Sequence, residues 1–145
     1  MKASDGDRSM ALRPGMIGRA TLTVAEADTA PHIGSGGVRV VATPRLVALM
    51  EQASRDAVQP QLSDSQDTVG VEVRVRHLAP TPVGGHVTAA AQLISVESRR
   101  LTFRVTARDE IEKVAEGTHV RAIVDLDRFQ KRVRDKAGRN PRPEG

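Results

Sequence analysis

TPRLVALMEQASRDAVQ (residues 43–59), followed ten residues later by VGVEVRVRH (residues 69–77), decides the fold of this chain. In the first stretch Leu46, Met50, Ala53 and Ala57 recur at helical spacing, and Leu49 widens the apolar stripe. Thr43 has the chemistry of an N-cap, Pro44 suits the first helical position and Pro60 stops the run, so the spacing predicts one long helix over 44–59. In the second stretch the period switches to two: Val69, Val71, Val73 and Val75 point one way, and Glu72, Arg74 and Arg76 the other. His77 falls in phase with the valines.

Outward from this pair the chain reads as strands. An alternating run at 17–26 predicts a first strand before the helix, entered through the Pro14-Gly15 turn signal. The glycine-rich TAPHIGSGG (residues 29–37) reads as a loop. After the valine strand, 87–96 alternates with a phase slip at Ile94, as a bulge would produce. Leu101, Phe103, Val105 and Ala107 then alternate cleanly with polar neighbours. A last strand over 114–126 is expected to turn Val120, Ala122, Val124 and Leu126 inward, leaving His119 and Arg121 on the opposite face. One strand, one long helix and four antiparallel strands make an α+β domain, a curled sheet wrapped around a central helix: the hot-dog fold. The helix is apolar over part of its circumference, so a second copy is expected to cover the rest, giving a homodimer with tetramers as a further option.

With 145 residues there is room for one domain, expected at 15–130 between a disordered lead-in (1–14) and a basic, disordered tail (131–145). Cysteine is absent, which excludes disulfides, thiolate metal sites and a cysteine nucleophile. No cofactor and no metal site is expected. Phe103 and Phe129 are the sole aromatics, too few to stack single-stranded nucleic acid. The net charge of +4 is concentrated in Arg128, Lys131, Arg132, Arg134, Lys136, Arg139 and Arg142. Such a tail suits phosphate-bearing ligands, but a solvated tail is the simpler reading and nucleic acid is not the expected partner. No apolar run has the length of a signal peptide or a membrane span, so a cytoplasmic protein is expected.

Four histidines are available, and His32, His86 and His119 read most simply as surface residues. His77 sits on the buried phase at a strand end, where burial is costly unless its ring nitrogens find partners. Glu51 flanks the apolar stripe; its structural alternative is an exposed pair with Arg55 one turn later. Thr43 has its own structural alternative as the cap. Thr43 and Glu51 stand about 12 Å apart along the helix axis, so a joint role needs a substrate or water between them.

The segments VVATPRLVALMEQAS, GVEVRVRHLAPTPVG, RRLTFRVTARDE and EGTHVRAIVDLDRF resemble, in order and spacing, the fluoroacetyl-CoA thioesterase family of hot-dog dimers. The resemblance runs over about 38–133 and implies hydrolysis of a short acyl-coenzyme A thioester, with Thr43, Glu51 and His77 matching the catalytic trio. By register, Gly70 and Arg121 match residues near the acyl group. Where that family's fluoroacetyl-specific member carries aromatic lid residues before the helix, this chain has Gly34, Gly36 and Gly37, so a different or broader acyl group is expected. A non-catalytic acyl-CoA or small-acid binding module on the same fold is the alternative.

Overall fold

The computed structural model describes residues 11–139. Strands β1 (Ile17–Thr23), β2 (Gln66–His77), β3 (His86–Glu97), β4 (Arg100–Arg108) and β5 (Lys113–Asp125) form one antiparallel sheet in the order β1-β3-β4-β5-β2. The helices are α1 (Ala30–Ile33), α2 (Thr43–Val58) and α3 (Leu126–Arg139). This is the hot-dog arrangement, with α2 held in the curl of the sheet.

The core is where the alternation said it would be on β3 and β4. Leu46, Leu49, Met50 and Ala53 of α2 are buried with Ala89, Ala91 and Leu93 of β3 and Leu101, Phe103, Val105 and Ala107 of β4. Each fully buried Leu, Met, Phe or Val among them contributes about 1.5–3 kcal/mol, and each alanine less. Helix and sheet meet most closely at Gly18 of β1, where an added Cβ would lie 2.1 Å from the Ala53 carbonyl oxygen. Only glycine permits that approach. The phase slip at Ile94 is a register shift between Leu93 and Ser95, which returns Val96 to register with Leu101.

Four expectations need correcting. Leu12 is buried in the core, so the lead-in is packed by residue 12; residues 1–10 lie outside the described range. The loop before α2 contains the short helix α1. The basic tail is helical to Arg139, because Leu126, Phe129 and Val133 recur at helical spacing and Lys131 pairs with Asp135 one turn on. Beyond that point, 140–145 are outside the described residues. The fourth correction concerns β2, whose central valines are not buried: Val71 is 50% and Val73 40% exposed. β2 is an edge strand, and the register shifts between Gly70 and Glu72, making Val71 the extra residue of a bulge.

Among the described residues, no helix is long and apolar enough to cross a membrane.

Candidate active site

Two polar clusters meet α2 at different heights. The first is at its N-terminus. Thr43 is not the cap: Ala42 occupies that position, and among the described residues no side chain caps the helix. Thr43 instead stands at the first helical position, and its hydroxyl is 2.7 Å from Nδ1 of His77 at the end of β2. Its neighbours Val41 and Ala42 are tied by backbone hydrogen bonds to the carbonyls of Thr81 and Asp28, which fixes the entry of the chain into the helix. The other ring nitrogen of His77, Nε2, is buried and has no hydrogen-bond partner among the described residues. A buried imidazole nitrogen left free beside an oriented partner is poised to take or give a proton. Beside the pair is a cavity of about 390 Å³ lined by Val40, Thr43, His77, Leu78, Ala79 and Pro80.

The second cluster lies midway along α2. The Glu51 carboxylate is 3.7 Å from Nη1 of Arg121 on β5. It leans over Gly70 of β2, where an added Cβ would come within 2.8 Å of Oε2, 3.2 Å of Cε1 of His119 and 3.5 Å of Nη1 of Arg121. The absence of a side chain at Gly70 is what lets the three groups converge. Arg121 is held from beneath: Nε donates to the Thr68 hydroxyl and Nη2 to the Thr68 carbonyl, both at 2.8 Å. Nη1 is 3.2 Å from Nε2 of His119, and Nδ1 of His119 is 2.8 Å from the Glu72 carbonyl.

These contacts overturn the expected phase of β5. His119 and Arg121 are 1% and 6% exposed and face α2, in line with Phe103 and Leu101 on the neighbouring strand. The outward-facing row is the more apolar one that includes Val120, Ala122 and Val124. Burial pushes the His119 imidazole below its ordinary range, and the Arg121 charge acts the same way. Burial also lowers Arg121, with Glu51 and Asp67 acting in the opposite sense. Arg55, the alternative partner for Glu51, is engaged elsewhere. It donates two hydrogen bonds of 2.9 Å to Asp67 and thereby holds that carboxyl below its usual value.

The sequence-predicted residues therefore divide into Thr43 with His77 and Glu51 with Gly70 and Arg121. Within one subunit the two groups do not meet. Gly70 and His77 are separated by seven positions of β2, about 20 Å of extended chain, and Thr43 and Glu51 by about 12 Å of helix. No single carbonyl carbon touches both. His119 was missed altogether. The signal that could have found it is positional: it lies directly across from Phe103, a residue whose inward phase is unambiguous.

Comparison with known proteins adds the family. The profile described as fluoroacetyl-CoA-specific thioesterase matches residues 24–127, which include both clusters. The fluoroacetyl-CoA thioesterase of Streptantibioticus cattleyicolor is 43% identical over 97 residues, 67% of this chain and 70% of that protein. A solved structure of a fluoroacetyl-CoA thioesterase is similar with a TM-score of 0.83 at 34% identity, covering 90% of this chain and 99% of the other. A hot-dog-like protein from Thermanaerovibrio acidaminovorans gives a TM-score of 0.81 at 26% identity, covering 94% of this chain and 99% of that one.

Proposed function

The chain belongs to the fluoroacetyl-CoA-specific thioesterase family, and from that membership we propose that it hydrolyses short acyl-coenzyme A thioesters at a site built by two copies of the chain. The observation that carries the reading is the separation of its two half-sites along β2, which pairs with β5 on one side, has no partner strand among the described residues on the other, and carries exposed valines. An edge of twelve residues is an open template for a second strand, and a closed two-fold dimer satisfies it.

The strand's own chemistry selects a register. Antiparallel pairing of β2 with its copy about an axis through Arg74 sets Glu72 opposite the partner subunit's Arg76 and Val73 opposite the partner subunit's Val75. Counting the bulge as one position, Gly70 then falls opposite the partner subunit's His77. Directly paired residues have Cα atoms about 5 Å apart and point to the same face of a sheet. Gly70 is paired with Arg121 and His77 with Ala115, both on the face of the sheet toward α2, so the pairing is consistent in phase. The Glu51 carboxylate resting on Gly70 is thereby brought to the partner subunit's Thr43–His77 pair. The Pro44, Ala48 and Gln52 side of α2, exposed in the single subunit, is available to the same interface. The reading takes this homodimer to be cytoplasmic.

The chemistry follows from the groups assembled. Glu51 either attacks the thioester carbonyl or takes the proton of the water that does; both routes use its carboxylate as the electron-pair donor. The helix N-terminus at Thr43 offers the positive end of the α2 dipole to the developing oxyanion. The C–S bond breaks, and the His77 imidazole, oriented through Nδ1 by Thr43, supplies a proton from Nε2 to the departing thiolate. Water supplies the hydroxyl of the carboxylic acid product, in the attack route by cleaving the mixed anhydride formed on Glu51, and in either route its remaining proton restores the His77 imidazole. The cavity beside His77 is lined by Val40, Leu78, Ala79 and Pro80, with no aromatic ring, which suits a small aliphatic acyl group.

The test is thiol release from acetyl-, fluoroacetyl-, propionyl- and butyryl-CoA by the wild type and Glu51→Gln. The expected result is turnover by the wild type and a loss of about three orders of magnitude in the variant with the fold intact. Absence of thiol release from every acyl-CoA by the wild type overturns the reading.

A further inference from the structure

We propose that His119 is a positioning residue: a neutral imidazole that fixes the Arg121 guanidinium, and through it the Glu51 carboxylate, in the geometry the reaction uses. The inference rests on the hydrolase reading above. Its basis is a chain of contacts with one consistent assignment of protons. The Glu72 carbonyl can only accept, so Nδ1 of His119, 2.8 Å away, must be the donor. In a neutral ring Nε2 then carries the lone pair. That lone pair faces Nη1 of Arg121 at 3.2 Å, and a guanidinium can only donate.

The alternatives fail on the same geometry. An imidazolium would put two cations in contact inside the sheet, and the Nε2–H tautomer would leave a donor facing a donor and an acceptor facing a carbonyl. Burial, the largest influence, and the adjacent Arg121 charge hold the ring neutral, and together they outweigh the Glu72 carbonyl hydrogen bond and the Glu51 charge, which act in the opposite sense. The Glu72 carbonyl that locks the tautomer borders the β2 bulge at Val71. The irregularity thus serves the site: it turns one backbone acceptor of an edge strand to the ring. With Thr68 holding Nε and Nη2, His119 is what fixes the remaining arm of the fork, the arm that meets Glu51. His119 touches no reacting atom in this arrangement; it acts through Arg121.

Two amide variants separate its two bonds. Asparagine places its amide nitrogen where Nδ1 was and keeps the bond to Glu72, whereas glutamine reaches the position of Nε2 and offers its amide oxygen to Arg121. For acyl-CoA hydrolysis the expected result is a fall in kcat of about 10–100-fold for His119→Asn, recovery to within about threefold of wild type for His119→Gln, and KM within about twofold throughout. A purely structural histidine predicts equal loss in both variants, with KM and denaturant midpoint moving together; that outcome, or wild-type kcat in both, overturns the proposal. Nitrogen-15 NMR of the wild type supplies a reading independent of the variants. A protonated Nδ1 and an unprotonated Nε2 at neutral pH support the assignment, and the opposite tautomer overturns it. Wild-type turnover with unaltered variants sinks this proposal alone, whereas a wild type without thioesterase activity sinks the hydrolase reading and takes the positioning role with it.

Discussion

Alanine at position 70 adds one methyl group where the Glu51 carboxylate rests. The new Cβ would lie 2.8 Å from Oε2, and ordinary contact begins near 3.4 Å, so the carboxylate must retreat by at least about 0.6 Å. His119 at 3.2 Å and Arg121 at 3.5 Å are pinned by their own hydrogen bonds. Glu51 is the group that yields, because its side chain is flexible and 40% exposed. Its retreat is cheap for folding: the gain of about 0.5–1 kcal/mol from losing a strand glycine offsets the few tenths of an ångström by which the His119 ring must also give, and the denaturant midpoint stays near wild type. Catalysis is less tolerant, since displacement of a reacting group by about 1 Å costs on the order of 100-fold. Gly70→Ala is therefore expected to lower kcat by about 10–100-fold with KM little changed, measured by thiol release over a range of acyl-CoA concentrations. A variant with wild-type kcat would refute the placement of Glu51 at the reacting carbon. A variant that loses activity only by unfolding would refute the reasoning about which group yields.

Further outcomes follow from the same contacts. Thr43→Val removes the hydroxyl at Nδ1 of His77 while keeping the side-chain shape; since Thr43 does not cap α2, the expected result is a kcat loss of about 10–100-fold with a stability change under about 1 kcal/mol, read from paired kinetics and denaturant curves. Stability should also depend on pH through His119. Its folded value is depressed, so the unfolded chain takes up a proton first, near 6.5; the contribution is fully present above that pH and is lost as pH falls from 6.5 toward the lower folded value. Denaturant midpoints from pH 8 to 5 check this, and His119→Gln should flatten the dependence across that window.

The helix and the β3–β4 half of the core were legible because each carries an unmixed period. Leu46, Met50 and Ala53 can face only one way on a helix, and Leu101, Phe103, Val105 and Ala107 only one way on a strand. β5 was misread for a physical reason. Its inward row holds the polar and small residues that build the site, Gly117, His119 and Arg121, while the apolar Val120, Ala122 and Val124 lie on the other face, Val120 buried even there, so polarity does not report which face meets α2. Alternation measures polarity alone. β2 misled in the complementary sense: its valines are apolar yet exposed in the single subunit, because the strand is at an edge and an extra residue at Val71 breaks the phase. The residue types Thr43, Glu51 and His77 were visible in the sequence. That Thr43 leaves the cap position to Ala42 and turns its hydroxyl to His77 depends on a strand end thirty-four residues away, which no local pattern reports.

The claim that Glu51 and His77 act together from different subunits is tested most directly by mixing two inactive proteins. Glu51→Gln and His77→Ala dimers are each expected to be nearly inactive in thiol release. After exchange of subunits, a hybrid dimer pairs the intact Glu51 of one chain with the intact His77 of the other, and random mixing should restore about one quarter of the wild-type rate. If each site were built within one chain, every hybrid would carry two damaged sites, and a mixture as inactive as its parents would contradict the account.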